Sequence, residues 1–433
     1  MSKSKNTILL VTIPTIIIAV VLYLIPPINE RVNYRLDQWW VRIRYALFPP
    51  ESAVFVPNSN VSDIVQATVL AMTASAPVQP SQTPTPRTTY FEAATPTPTI
   101  TPTAIPAKFS FEGVKWYSQH EALNYCAPAS LAMELSYWGW KGTREDIGKI
   151  VKPYDEDYNV MPYELADYVT ANTGLSAMVR SGGDLEMLKK LAAAKFPVLV
   201  EKGAYMLDRS GVVSWMGHYG VITGYDDEKQ QFVTQDSFYQ PDLMVKYSDL
   251  DQNWRSFNNT FLIVYAPEKE GELKSILGPL AEEESAFQVA YQRASDETNT
   301  LTGVDQYFAW FNRGTSQVNM QDFAGAAASY DEAFRLYESL PKDKRPWRIL
   351  WYQTGPYFAY FYSGRYQDVV DLATLTIKNA SKPFFEESLY WRAKANLVIG
   401  NRDQAITDLK DSLKYHKDFS PSLTELSALG VTP

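Results

Sequence analysis

The chain reads as an α+β domain followed by an all-α helical module, both carried behind an apolar N-terminal segment. Three observations predict this. Ile8–Ile25 holds no charged residue over 18 positions. Residues 108–268 pass from helical spacing to short runs of β-formers, and residues 283–425 return to helical spacing with a weak internal repeat.

The first run amounts to about 27 Å of helix at roughly 1.5 Å per residue, close to the thickness of a bilayer's hydrocarbon. Pro26-Pro27-Ile28-Asn29 follows, with nothing resembling a small-x-small cleavage site. Residues 1–29 are therefore read as a tail and an uncleaved transmembrane signal anchor. Lys3 and Lys5 favour an inside N-terminus, although Arg31, Arg35, Arg42 and Arg44 crowd the other flank. The expectation is a single-pass protein of the cell membrane with its C-terminal domains outside the cytoplasm. Residues 30–76 form a juxtamembrane segment. Its Trp39-Trp40-Val-Arg42-Ile-Arg44 stretch suits either the membrane interface or an irregular helix with no specific role, and a largely apolar run follows at Ile64–Met72. Residues 77–107 are a linker: from Pro77 to Pro106, seventeen of thirty residues are Pro or Thr. Proline fixes φ and removes donors, so such a stretch cannot pack a core and prefers extended conformations.

In residues 108–268, a helix is predicted from Cys126 through Trp138, with Pro128 in the first turn where a missing N–H costs nothing. Thr143-Arg-Glu-Asp146 starts a second helix as a capping box, and Asp184 caps Leu185-Glu-Met-Leu-Lys-Lys-Leu. Strands are predicted at Phe196–Val200, Tyr219–Thr223, Phe232–Thr234 and Thr260–Tyr265. Lys202–Met216 is left as a loop over a cleft or a plain connector.

In residues 283–425, Ala309-Trp-Phe-Asn-Arg-Gly314 runs on to Phe323, Ala326, Tyr330 and Ala333. Looser copies follow around Ser363-Gly-Arg-Tyr366 and Ile399-Gly-Asn-Arg-Asp-Gln-Ala405. The counterparts Ala326, Val369 and Ala405 stand 43 and 36 residues apart. This resembles a tetratricopeptide array of three degenerate repeats, as against an ordinary helical bundle. The resemblance implies a concave face for a protein partner.

The net charge is −9 without a basic cluster, which argues against nucleic acid as a partner. Cys126, the single cysteine, permits no intramolecular disulfide, and with three scattered histidines it makes no zinc cluster of usual spacing. No Walker loop or dinucleotide fingerprint stands in a suitable setting, so neither metal nor cofactor is expected. What remains is thiol chemistry. Cys126 opens a helix, whose N-terminus favours the thiolate; His218 lies on a later strand; Asp236 ends the strand after that. A thiol, an imidazole and an orienting carboxylate are the parts of a cysteine-nucleophile site, and Gln119 with the Cys126 backbone N–H could serve an oxyanion. Asp226 and Asp227 compete with Asp236 but follow Gly224-Tyr225 in a predicted hairpin turn, where Asp suits the backbone.

Trp116-Tyr-Ser-Gln119, Cys126-Ala-Pro-Ala-Ser-Leu-Ala-Met133, Phe196-Pro-Val-Leu-Val, Gly217-His218-Tyr-Gly-Val-Ile-Thr-Gly-Tyr and Phe232-Val-Thr-Gln-Asp236-Ser together resemble the cysteine peptidases of family 39, the bacteriocin-processing double-glycine peptidases and their relatives. The resemblance implies a papain-like α+β domain with Cys126 as nucleophile, His218 as general base, Asp236 as orienting acid and Gln119 as oxyanion donor. Ala127 stands where the family usually has glycine, and Gln119 lies one residue farther from the cysteine than in the leader peptidases. The expected activity is a membrane-anchored cysteine peptidase acting on a peptide or protein. The rivals are a catalytically inactive peptidase-like binding protein and a cell-wall amidase or transacylase using the same thiol.

Overall fold

The computed structural model describes residues 21–58 and 105–433, apart from 121, 123, 153, 155, 156 and 209. Most of Ile8–Ile25, the Ile64–Met72 run and nearly all of the Pro/Thr stretch lie outside these residues. Among the described residues, no helix is long and apolar enough to cross a membrane.

The chain enters through a long helix, α1 (Pro26–Leu47), with prolines at its first positions, where their fixed φ suits a helix start. A seven-stranded, wholly antiparallel sheet follows. Its strands are β1 (Lys108–Ser110), β2 (Ser176–Arg180), β3 (Val198–Leu207), β4 (Val213–Asp226), β5 (Gln231–Gln235), β6 (Leu243–Lys246) and β7 (Phe261–Tyr265), in the order β2-β7-β3-β4-β5-β6 with β1 against β4. The helices between them are α2 (Cys126–Tyr137), α3 (Arg144–Val151), α4 (Pro162–Asn172), α5 (Leu185–Ala193) and α6 (Tyr247–Arg255).

The period-two alternation of the strands divides the core. Leu199, Tyr219, Val221, Leu262 and Val264 face α2, α3 and α4. Val198, Val200, Ile222, Phe261 and Ile263 face α5, α6 and a following helix, α7 (Glu270–Leu277). The predicted caps form: Thr143 and Asp146 make a capping box on α3, and Asp184 accepts from the Met187 N–H.

The structure corrects three readings. Strand β2 lies among the helices rather than after them, because its partner is the last strand, β7. The strands of the central hairpin are two and nearly three times their predicted length, at 10 and 14 residues. Lys202–Met216 is neither lid nor connector: its flanks are the outer halves of β3 and β4, paired in register from Val198↔Ile222 to Leu207↔Val213. Between these strands Asp208 holds the chain reversal, its carboxylate accepting from the Ser210 and Val212 backbone N–H groups.

Behind the sheet comes an all-α array. Its helices are α8 (Glu283–Thr300), α9 (Gly303–Asn319), α10 (Phe323–Ser339), α11 (Gly355–Tyr362), α12 (Tyr366–Asn379), α13 (Glu386–Val398), α14 (Arg402–Tyr415) and α15 (Ser420–Ala428). Ala326, Val369 and Ala405 are fully buried at corresponding places on α10, α12 and α14. At Gly314 the absent side chain lets α9 approach Tyr330, since a Cβ there would lie 2.9 Å from its ring.

Array and sheet domain share one interface. Trp215 of β4 stacks on Phe257 at 5.8 Å and meets Phe308 and Tyr352 of the array. Arg348 binds Asp208 at 2.6 Å, with both side chains buried. Asn312 Nδ2 donates to the Arg255 carbonyl, and Gln353 Nε2 to that of Ser256. The stretch after α1 lies across the array as well: Phe55 is buried against Phe334 and Tyr360, and the Asn58 N–H donates to Asp368. Helix α1 is pinned through Arg42 to the Ser210 carbonyl, Arg44 to the Lys378 carbonyl, and an Asp37–Lys382 ion pair at 3.1 Å.

Candidate active site

Cys126 is the first residue of α2, half-buried, and the N-cap residue Tyr125 offers no side-chain acceptor to the first turn. The backbone N–H groups there are the positive end of the helix dipole, which favours a thiolate. Two buried bonds seat this helix against the sheet. Ser130 Oγ donates to the carbonyl of Tyr219, the neighbour of His218 on β4. Glu134 Oε1 accepts the Val264 N–H of β7, and burial holds its carboxyl well above the usual carboxylate range. The cysteine is thus located by contacts one and two turns farther along its own helix.

His218 is 1 % exposed. Its Nε2 lies 2.9 Å from Asp236 Oδ1, which leaves Nδ1 for the thiol, and Cys126 is a side-chain hydrogen-bond partner of the ring. Burial disfavours the imidazolium, but the charge and hydrogen bond of Asp236, together with the Cys126 thiol, outweigh it and push His218 up to about 9. Asp236 is fully buried, yet its carboxyl is held below the usual range: burial opposes ionisation, while His218, Lys202 and the Phe238 backbone N–H overcome it. Its Oδ1 also accepts from the Phe238 and Tyr239 N–H groups, and Lys202 Nζ sits 3.3 Å from Oδ2. Lys202 is the register partner of His218 across the β3–β4 ladder, so both side chains leave the sheet on one face toward Asp236.

Gln119 belongs to the same cavity. Its backbone N–H donates to the Ser237 carbonyl at 2.9 Å, and Ser237 Oγ donates to its Oε1 at 2.8 Å. Fixing the amide oxygen in this way turns the NH₂ group to the other side. Trp116 Nε1 donates to the Asp236 carbonyl at 2.9 Å, and Arg144 holds the carbonyls of Ser118 and His120. One strand end, residues 235–238, therefore positions both the acid and the amide. Ala127 is buried in the α2 core cluster and also lines the cavity.

The four sequence-predicted residues Cys126, His218, Asp236 and Gln119 are brought together; Asp226 and Asp227 are not. Asp226 pairs with Lys108 at 2.9 Å, and Asp227 accepts from Tyr247 and Lys189. The local signals missed Lys202 and two further groups. Glu201 is buried at the cavity wall, where its Oε1 accepts from Tyr219 Oη at 3.2 Å; burial pushes its carboxyl up to about 8, against the smaller lowering by that hydrogen bond. Tyr352, from the helical array, completes the wall, and a Cβ on Gly217 would lie 3.0 Å from its ring. Neither has a signal in local sequence, although Glu201 beside Lys202 in an apolar strand is the one oddity that could have marked the place.

The cavity measures about 1740 Å³ and runs between the sheet domain and α1, which contributes Asn33, Leu36, Asp37 and Trp40. Small-molecule sites are usually about 300–1,000 Å³, so this cleft is larger than most of them. Among the described residues, no group of three or more His, Cys, Asp or Glu is placed to hold a metal ion.

Residues 111–262 match the Peptidase_C39 like family. No curated protein matches the chain. Among solved structures, that of a candidate C39-like peptidase from Bacillus anthracis is similar at 19 % identity, over 36 % of this chain and 96 % of its own, with a TM-score of 0.31.

Proposed function

We propose that the domain carrying the family match, residues 111–262, is a cysteine peptidase in which Cys126 is the nucleophile, His218 the proton carrier, Asp236 its orienting partner and Gln119 an oxyanion donor. The observation that carries this reading is the convergence of a helix-start thiol, a buried imidazole and a buried carboxylate at the wall of one long cleft. An imidazole raised to about 9, chiefly by Asp236 against the opposing effect of burial, is a base able to take the thiol proton. The thiolate attacks the substrate carbonyl carbon, and the resulting oxyanion accepts from the Gln119 amide and the Cys126 backbone N–H. His218 then gives its proton to the leaving amine, leaving a thioester on Cys126. Water attacks that thioester as His218 takes its proton, which releases the acid and restores the thiol.

The N-terminal run Ile8–Ile25 supports one membrane anchor with the folded domains on the outer face, and the Pro/Thr stretch links two segments that both pack on that folded body rather than separating it from the membrane. The helix pairs of the array support a tetratricopeptide-like module that binds protein. Part of that module already holds the chain's own segment around Phe55. Digestion of a peptide library by the full chain tests the peptidase reading. The expected result is cleavage that vanishes in Cys126→Ala. Equal cleavage by the variant would reject the thiol mechanism, and acyl transfer to an added amine without hydrolysis would favour a transacylase.

A further inference from the structure

Helix α1 is amphipathic the wrong way round for a helix packed on a protein. Its buried side carries Val41 with the Asp37 and Arg44 contacts, whereas Val32, Leu36, Trp39, Ile43 and Leu47 recur at three- and four-residue intervals along the opposite side. That spacing makes one stripe at about 100° per residue. Leu36, Trp39 and Leu47 are 57 %, 62 % and 67 % exposed. A stripe of this kind on a soluble surface costs hydrophobic free energy and ordinarily marks a contact.

The stripe does not stand alone. The turn of the β3–β4 hairpin lies beside α1, joined through Arg42 Nε to the Ser210 carbonyl at 3.0 Å, and its Val212 and Val213 are 59 % and 61 % exposed. Two elements far apart in sequence thus present apolar tips next to each other. The chain's own order says what covers them: the uncharged run Ile8–Ile25 ends one residue before α1 begins. Any bilayer that holds that run lies at the foot of α1, and tryptophan favours the headgroup layer.

We propose that the outward stripe of α1 and the tip of the β3–β4 hairpin form one surface seated in the headgroup layer of a phospholipid bilayer. Leu36 belongs both to the stripe and to the cleft wall, so this seating brings the mouth of the cleft to the bilayer. The inference rests on the membrane-anchor half of the proposed function and not on the thiol chemistry.

The single cysteine makes a direct test available. In the full-length Cys126→Ser chain, single cysteines replace Leu36, Trp39, Val213 and, as a control, the exposed Val398 at the end of α13, each carrying a nitroxide. The chains are reconstituted in vesicles of phosphatidylethanolamine and phosphatidylglycerol, and collision rates with oxygen and with a water-soluble nickel chelate are compared. The first three labels should show an oxygen-to-nickel ratio at least threefold above that of Val398→Cys. Ratios equal to the control in chains that float with the vesicles overturn the surface and leave the anchor intact. Failure to float overturns the anchor and the surface together. Dipolar broadening between Trp39→Cys labels, without a raised ratio, also overturns the proposal and assigns the stripe to a second copy of the chain.

Discussion

Asp236→Asn separates what this carboxylate does for charge from what it does for geometry. Asparagine keeps an oxygen where Oδ1 now accepts from the Phe238 and Tyr239 N–H groups, so the loop has no reason to move. It removes the charge that faces His218 at 2.9 Å and Lys202 at 3.3 Å. Lys202, 6 % exposed, is left as a buried cation without its counter-charge. Breaking a buried pair from one side costs about 3–5 kcal/mol, much of it the penalty of the charge left behind. The imidazole, now near 9 largely through Asp236, should return toward its ordinary value. A fall of two pH units is about 3 kcal/mol of lost preference for the imidazolium. Two assays read these effects. Thermal melting should show the destabilisation, and Asp236→Asn combined with Lys202→Met should recover most of it. Alkylation of Cys126 against pH should lose its upper shoulder in both variants. Recovery of stability without recovery of the thiol profile is the expected pattern. An unchanged alkylation profile in Asp236→Asn would refute the reasoning, since the carboxylate would then not govern the imidazole.

Three further outcomes follow from the same structure. The folded-state values of His218 and Glu201 are raised to about 9 and about 8, so their stabilising contributions are whole below the unfolded values and fade as pH rises through the folded ones; the melting temperature should fall steadily between pH 6 and pH 9, and a flat profile would contradict both the Asp236 charge that raises His218 and the burial that raises Glu201. Glu201→Gln keeps an acceptor for Tyr219 without an ionisable group, so it should lessen that fall, by about 2–3 kcal/mol between pH 6 and pH 9 in denaturant titration. Trp215→Ala should cost about 3–5 kcal/mol and loosen the array from the sheet domain, seen as a second melting transition, because the ring packs on both sides of the interface.

Much of the site was legible because its parts are marked by local chemistry. A cysteine two residues before a proline at a helix start, a histidine opening an apolar run and an acid closing the next one each carry their own signal. Asp227 was separable from Asp236 because a hairpin turn accounts for it. Lys202 was not legible: its meaning comes from a ten-residue ladder that sets it opposite His218, and the polar Glu201-Lys202-Gly203 breaks the alternation by which a strand is recognised. Tyr352 was invisible for another reason. It reaches the cleft from 134 residues beyond His218, through an interface whose aromatic residues read equally well as the array's own core. The same holds for Phe55, whose burial depends on helices nearly three hundred residues away.

If Cys126 is the nucleophile and His218 its proton partner, the two titrate together, and the rate of Cys126 alkylation by iodoacetamide reads that coupling. Because Cys126 is the single cysteine, every adduct reports that one site in the full chain by mass. At pH 6 an ordinary thiol near 8.5 is ionised to well under 1 %. In the wild-type chain alkylation at pH 6 should proceed within about threefold of its rate at pH 8, and His218→Ala should slow the pH 6 rate at least tenfold while the pH 9.5 rate changes little. A wild-type rate that rises tenfold per pH unit from 6 to 8, the same in His218→Ala, would contradict that coupling.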